Sequence, residues 1–118
     1  MCGIAGIFQY GKENTSNLSK VIDKIIHRGP DAKGLWKDKN ISLASVRLNV
    51  VDLDKRSNQP FISKNKKFVI VFNGEIYNYL NLKKKYNIKT NTNSDTEIIV
   101  ELFNKIGPKV FSLLEGMF

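Results

Sequence analysis

Residues 68–72 read Phe-Val-Ile-Val-Phe, an unbroken row of apolar side chains. In a strand, successive side chains point to opposite faces, so such a row needs apolar cover on both sides of its sheet. Its short length and its β-branched and aromatic content favour a strand over a buried helix. The run therefore predicts a buried strand, and a chain containing one must lay other elements over both faces of a sheet. A second apolar stretch sets Ile4, Ile7 and Phe8 among Gly3, Ala5 and Gly6. It reads as a buried N-terminal strand whose glycines admit close backbone approach.

Between and after these stretches the pattern alternates helix and strand. Asn14-Thr15-Ser16 forms a capping cluster, and Leu18, Val21, Ile22, Ile25 and Ile26 follow at the spacing of one helix face. Arg28-Gly29-Pro30-Asp31 ends that helix, because the residue before a proline avoids helical geometry. Gly34–Lys37 and Ile41–Leu48 read as strands, and Asn58-Gln59-Pro60 as a loop. A short helix is expected over Tyr77–Tyr86. Ser94-Asp95-Thr96-Glu97 has the form of a capping box ahead of Ile98, Ile99, Leu102 and Phe103, and Gly107-Pro108 closes that helix. Val110, Leu113 and Leu114 suggest a further turn or two. Strands that do not alternate indicate covered sheets, in an α/β or α+β fold.

Composition narrows the class. At 118 residues the chain is one domain at most, given about 100–200 residues per domain. Its single cysteine excludes an internal disulfide and any multi-cysteine metal site, and its single histidine, His27, excludes His-rich zinc sites. No apolar run approaches the roughly 18 residues of a membrane helix. Met1-Cys2-Gly3-Ile4 is apolar from the first residue and has no basic n-region, so no secretory signal is expected and a cytoplasmic setting follows. Nineteen basic against eleven acidic residues give a net charge of +8. Nucleic-acid binding is nevertheless not expected. Arginine is confined to Arg28, Arg47 and Arg56, and the lysines are scattered, whereas phosphate and base readers rely on arginine forks.

Several residues could carry chemistry. If Met1 is removed, Cys2 becomes the first residue, with its thiol and a free α-amine on one residue. An α-amine titrates near about 7.7–8.0, so it can take a proton and return it at neutral pH. Cys2 would then be a nucleophile with its own base, although position alone is also compatible with a small buried cysteine. Asn73-Gly74 is locally a strong type I′ hairpin signal between Phe68–Phe72 and Glu75-Ile76-Tyr77. It is equally a potential oxyanion hole, made of the Asn73 amide and the Gly74 backbone N–H. Arg47, at a strand end, could grip a carboxylate or form a surface salt bridge. Asp95 could be a first-turn helix acid or face a substrate ammonium. Glu75 and Asp31 are similarly ambiguous.

Taken together, the stretches Met1-Cys2-Gly3-Ile4-Ala5-Gly6-Ile7-Phe8, His27-Arg28-Gly29-Pro30-Asp31, Arg47-Leu48-Asn49-Val50-Val51-Asp52, Asn58-Gln59-Pro60, Phe72-Asn73-Gly74-Glu75-Ile76-Tyr77-Asn78, Ser94-Asp95-Thr96-Glu97 and Leu114-Glu115-Gly116-Met117-Phe118 span the chain. In this order they resemble the class II, N-terminal-nucleophile glutamine amidotransferase domain, and most closely its asparagine synthetase branch. The resemblance implies an α+β fold, a sandwich of two packed antiparallel sheets flanked by helices, of which this chain would supply part. It implies Cys2 as nucleophile and Asn73 and Gly74 as oxyanion hole. Arg47 would bind the glutamine α-carboxylate beside the backbone of Leu48, Asn49, Val50 and Val51. Glu75 and Asp95 would bind its α-ammonium. The turn from Arg28 to Asp31 would help to order the site without being catalytic.

The resemblance also implies glutamine as substrate and no cofactor for the glutaminase half. ATP and Mg would belong to a synthetase domain beyond residue 118, where the ammonia would convert an activated aspartate to asparagine in a parent that could be a homodimer. No phosphate-binding Gly-x-x-x-x-Gly-Lys run occurs in these residues. Family members continue past Gly-Met-Phe, so residues 1–118 are expected to be an incomplete domain ending at the start of a core strand. Two other readings stand beside this one: an amidotransferase serving a sugar or a secondary metabolite, and a non-catalytic remnant.

Overall fold

The structure, a computed structural model, describes residues 2–11, 18–48 and 54–118. The chain divides into two compact units. The first takes residues up to 49 together with 58–60 and 71–73, and the second takes 50–57, 61–70 and 74–118.

The first unit is a three-stranded antiparallel sheet with one helix on it. Strands β1 (Gly3–Phe8), β2 (Ala32–Lys37) and β3 (Ile41–Arg47) stand in the order β1-β3-β2, so β3 is central. Gly3 pairs with Val46 and Phe8 with Ile41, while Ala32 pairs with Arg47 and Lys37 with Ser42. Helix α1 (Ser19–Ile25) continues into a 3₁₀ turn, Ile26–Arg28. Its apolar stripe buries Leu18 and Ile22 against Ala44 and Val46, with Ala5, Ile7, Val21, Ile25 and Ile26 around them. Burying a Leu or Ile side chain of this kind contributes about 1.5–3 kcal/mol. The periodicity of residues 18–26 thus predicts the helix and its buried face correctly. The expected capping cluster Asn14-Thr15-Ser16 lies outside the described residues.

The register separates two faces of this sheet. Ala5, Ala44 and Val46 lie on the α1 side. Residues one step out of phase, Ile4, Ser45, Arg47, Ala32 and Gly34, lie on the other. The N-terminal strand is therefore not buried on both faces: Ile4 and Phe8 are 44% and 65% exposed, and among the described residues β1 is an edge strand with α1 packed on one face.

The second unit is mainly helical. Helix α2 (Tyr79–Lys85), helix α3 (Asp95–Ile106) and a 3₁₀ segment (Gly107–Leu113) enclose Leu82, Ile88, Leu102 and Val110. Two short antiparallel ladders accompany them. One pairs β4 (Phe61–Ile62) with β5 (Val69–Ile70), the other β6 (Glu75–Ile76) with β7 (Gly116–Met117). Gly107 ends α3 with a positive φ of 67°, as its place ahead of Pro108 suggests. All named strands pair antiparallel and helices accompany them in both units, so the fold class is α+β.

Three expectations are corrected here. Of the apolar run 68–72, only Val69 and Ile70 form a strand, and both are half-buried. Side chains take the flanking amides: Ser63 Oγ accepts from Phe68 N at 3.1 Å and Gln59 Oε1 from Phe72 N at 2.5 Å. The Asn73-Gly74 hairpin does not form. Neither residue has the positive φ a type I′ turn requires, and the strand that follows pairs with β7 instead of doubling back on β5. The capping box is half made. Ser94 Oγ accepts from Thr96 N at 3.2 Å, but the Glu97 carboxylate turns to Asn91 N, Thr92 N and Thr92 Oγ1. It thereby fixes the loop leading into α3. At the end of the described residues Gly116 and Met117 form β7, and Met117 and Phe118 are 60% and 65% exposed.

Candidate functional site

Cys2 precedes β1 and is half-buried. Its Sγ makes a weak hydrogen bond to the Leu48 carbonyl at 3.8 Å, just past the end of β3. Its own carbonyl accepts from Arg28 Nε at 3.0 Å. The thiol and Arg47-Leu48 are therefore neighbours at one end of the sheet. This follows from the antiparallel register, which brings the start of β1 to the end of β3.

Arg47 closes β3 and is 7% exposed, which removes the surface salt bridge as its role. Its Nη1 donates to Asn58 Oδ1 at 2.9 Å. The Arg28–Asp31 turn packs against the same residue. Asp31 N donates to the Arg47 carbonyl at 3.1 Å, and Pro30 bridges Arg47 in parallel. Gly29 lies so close that a Cβ there would stand 2.6 Å from the backbone N and C of Arg47. Only glycine fits at that distance. One turn thus contacts both Cys2, through Arg28, and Arg47, through Gly29 to Asp31.

Asn73 belongs to the same unit and is half-buried. The backbone reaching it is held one residue earlier, where Phe72 N donates to the buried Gln59 side chain. The first unit therefore contains Cys2, Arg47, Leu48 and Asn73. Asn49, Val50 and Val51, expected to line the site, lie outside the described residues.

Gly74, Glu75 and Asp95 belong to the second unit. Gly74 is exposed and opens the β6 segment. A Cβ on it would meet the Met117 carbonyl at 2.5 Å, so this glycine has a packing reason to be there. Glu75 is exposed on β6. Asp95 is 6% exposed at the first position of α3. Its Oδ1 accepts from Thr96 N at 2.7 Å, and its Oδ2 from Ile76 N at 3.0 Å. Asp95 and Glu75 are thereby linked through the backbone of Ile76.

Asn58 and Gln59, which the sequence marks only as a loop and as one of the family-like stretches, contact Arg47 and the amide of Phe72. The available signal was weak: two amide side chains directly ahead of a proline in a loop. Among the described residues no group of three or more His, Cys, Asp or Glu is placed to hold a metal ion. Among them, too, no helix is long and apolar enough to cross a membrane.

A cysteine thiol thus stands near a buried guanidinium, a pairing that by itself fixes no family. Comparison with known proteins specifies which one. The profile of the glutamine amidotransferase domain matches residues 1–118. A protein of Methanocaldococcus jannaschii, provisionally named a second glutamine-hydrolysing asparagine synthetase, is 40% identical over 99% of this chain and 26% of its own length. Asparagine synthetase B [glutamine-hydrolyzing] of Escherichia coli is 35% identical over all of this chain and 22% of its own. Amidase chry2 of Gibberella zeae is 34% identical over all of this chain and 20% of its own. The chain thus spans about a fifth to a quarter of the curated relatives it matches. Residues 1–118 belong to the glutamine amidotransferase domain family.

Proposed function

We propose that this chain is the glutaminase part of a longer, glutamine-dependent synthetase, and that it hydrolyses glutamine to glutamate and ammonia. Removal of Met1 frees the α-amine of Cys2. That amine takes the thiol proton as the sulfur attacks the side-chain amide carbon of glutamine. A C–S bond forms and the carbonyl oxygen becomes an oxyanion, stabilised by the Asn73 amide and the Gly74 N–H. The α-ammonium then returns its proton to the departing nitrogen, the C–N bond breaks and ammonia leaves. Water attacks the resulting γ-glutamyl thioester, the C–S bond breaks and glutamate is released. Arg47, with the backbone from Leu48 to Val51, binds the substrate α-carboxylate, and Glu75 and Asp95 bind its α-ammonium. Thiol, amine and hydrogen-bond donors supply nucleophile, base and electrostatics, so the half-reaction draws on no metal.

The observation that carries this reading is the buried Arg47 at the end of β3, beside the segment that contacts the Cys2 thiol. A cation held there would orient an amino-acid substrate by its carboxylate next to the nucleophile. In the parent protein the ammonia would go to an ATP- and Mg-dependent domain that activates aspartate, making asparagine in the cytoplasm. The names of the E. coli and M. jannaschii relatives support that acceptor. A second acceptor class is supported by the G. zeae relative, which is 34% identical over all of this chain and is named an amidase. The test is glutamate release from glutamine by the full-length protein. Cys2→Ala should abolish it, and aspartate with ATP should yield asparagine. Glutamate release that persists in Cys2→Ala would contradict the mechanism.

A further inference from the structure

We infer that Asn58 and Gln59 are positioning residues for glutamine hydrolysis: Asn58 sets the Arg47 guanidinium, and Gln59 sets the backbone from which Asn73 projects. The inference rests on the glutaminase reading above and extends it to residues that touch no substrate.

The segment 58–60 packs with the first unit, although its neighbours 50–57 and 61–70 belong to the second. Its seat on the sheet is made by an absent side chain. A Cβ on Gly34 of β2 would stand 2.0 Å from the Gln59 carbonyl oxygen and 3.0 Å from Pro60 Cδ. From this seat the two amides reach in different directions. Asn58 Oδ1 accepts from Arg47 Nη1 at 2.9 Å, across eleven residues of sequence. Gln59 is 8% exposed, and its Oε1 accepts from Phe72 N at 2.5 Å, across thirteen.

The chemistry of the two acceptors matters. A carboxylate at position 58 would also hold the guanidinium, but it would neutralise the charge that a substrate carboxylate needs. A neutral amide fixes Arg47 without itself setting a negative charge against it. At position 59 a neutral acceptor satisfies a backbone N–H directly ahead of the proposed oxyanion donor. It limits the freedom of that donor without adding a negative charge where an oxyanion develops. Asn58 therefore acts on substrate binding and Gln59 on transition-state stabilisation.

This separation is measurable in the full-length protein. Asn58→Asp keeps the hydrogen bond, so a purely structural role predicts no effect. The positioning role predicts a KM for glutamine raised about tenfold or more, with kcat within about twofold. Gln59→Met keeps the volume and removes the acceptor. It is expected to lower kcat about 10- to 100-fold with KM within about twofold. Circular dichroism checks each fold. If Gln59→Met unfolds, Gln59→Asn decides, since it withdraws the acceptor by one methylene and predicts the same loss of kcat. Wild-type protein that releases no glutamate overturns the glutaminase reading and this inference with it. Wild-type turnover with KM unmoved in Asn58→Asp, or with kcat unmoved when the acceptor at 59 is withdrawn, overturns the positioning inference alone.

Discussion

The Asp95 carboxylate accepts the backbone N–H of Ile76 at 3.0 Å, tying the first residue of α3 to β6, one residue beyond Glu75. Asp95 is thus a structural acceptor as well as a proposed partner of the substrate ammonium. Asp95→Ala leaves the Ile76 amide, in a residue 1% exposed, without this acceptor. The expected cost is about 1–3 kcal/mol, read as a lowered melting temperature. Asp95→Asn keeps one of the two oxygens and removes the charge. It should destabilise less than Asp95→Ala while raising the KM for glutamine about 10- to 100-fold. A normal KM in a folded Asp95→Asn variant would remove Asp95 from substrate binding.

Gly29 and Gly6 make a matched comparison. A Cβ at Gly29 would meet the backbone of Arg47 and Val46 at 2.6 Å, whereas one at Gly6 would first meet the Leu43 Cδ2 at 3.3 Å. Backbone atoms of a central strand cannot yield as the end of a leucine can. Gly29→Ala should therefore cost about 3 kcal/mol and raise the KM for glutamine through Arg47, while Gly6→Ala should stay within about 1 kcal/mol. Thermal unfolding of both variants checks the contrast.

Glu97 is 1% exposed, and its carboxylate accepts from Asn91 N at 2.9 Å, Thr92 N at 2.8 Å and Thr92 Oγ1 at 2.6 Å. Glu97→Ala leaves these donors without that partner and opens a cavity. The expected loss is about 3 kcal/mol or more. Glu97→Gln keeps one acceptor oxygen and should fall between the two. Equal melting temperatures for wild type and Glu97→Ala would contradict the view that this buried carboxylate fixes the loop.

Helix α1 was legible because Leu18, Val21, Ile22, Ile25 and Ile26 repeat at 3.6 residues, a period that any cover on that face satisfies. The partner of β6 was not legible. Asn73-Gly74 scores as a hairpin on local turn chemistry, but Glu75 pairs with Met117, and ladder choice over that separation leaves no mark in the dipeptide. The run 68–72 predicts a strand from its short length and its β-branched and aromatic content, while the side chains of Ser63 and Gln59, which take the amides of Phe68 and Phe72, leave no mark in the run itself. Of the proposed site residues, Cys2, Arg47, Asn73, Gly74, Glu75 and Asp95 are singled out by residue type and by family motif. That Arg47 is buried and bonded to Asn58, or that Asp95 is bonded to Ile76, depends on contacts between segments. Asn58 and Gln59 act through others, and residue type alone does not identify such roles.

The central claim is that Cys2 becomes an N-terminal nucleophile facing a glutamine site. The most direct test is the intact mass of the full-length protein before and after exposure to 6-diazo-5-oxo-L-norleucine, an electrophilic glutamine analogue. The account predicts a mass lacking Met1, followed by a single covalent adduct that maps to Cys2 and is suppressed by excess glutamine. A protein that retains Met1, or a processed Cys2 that gains no adduct, would contradict it.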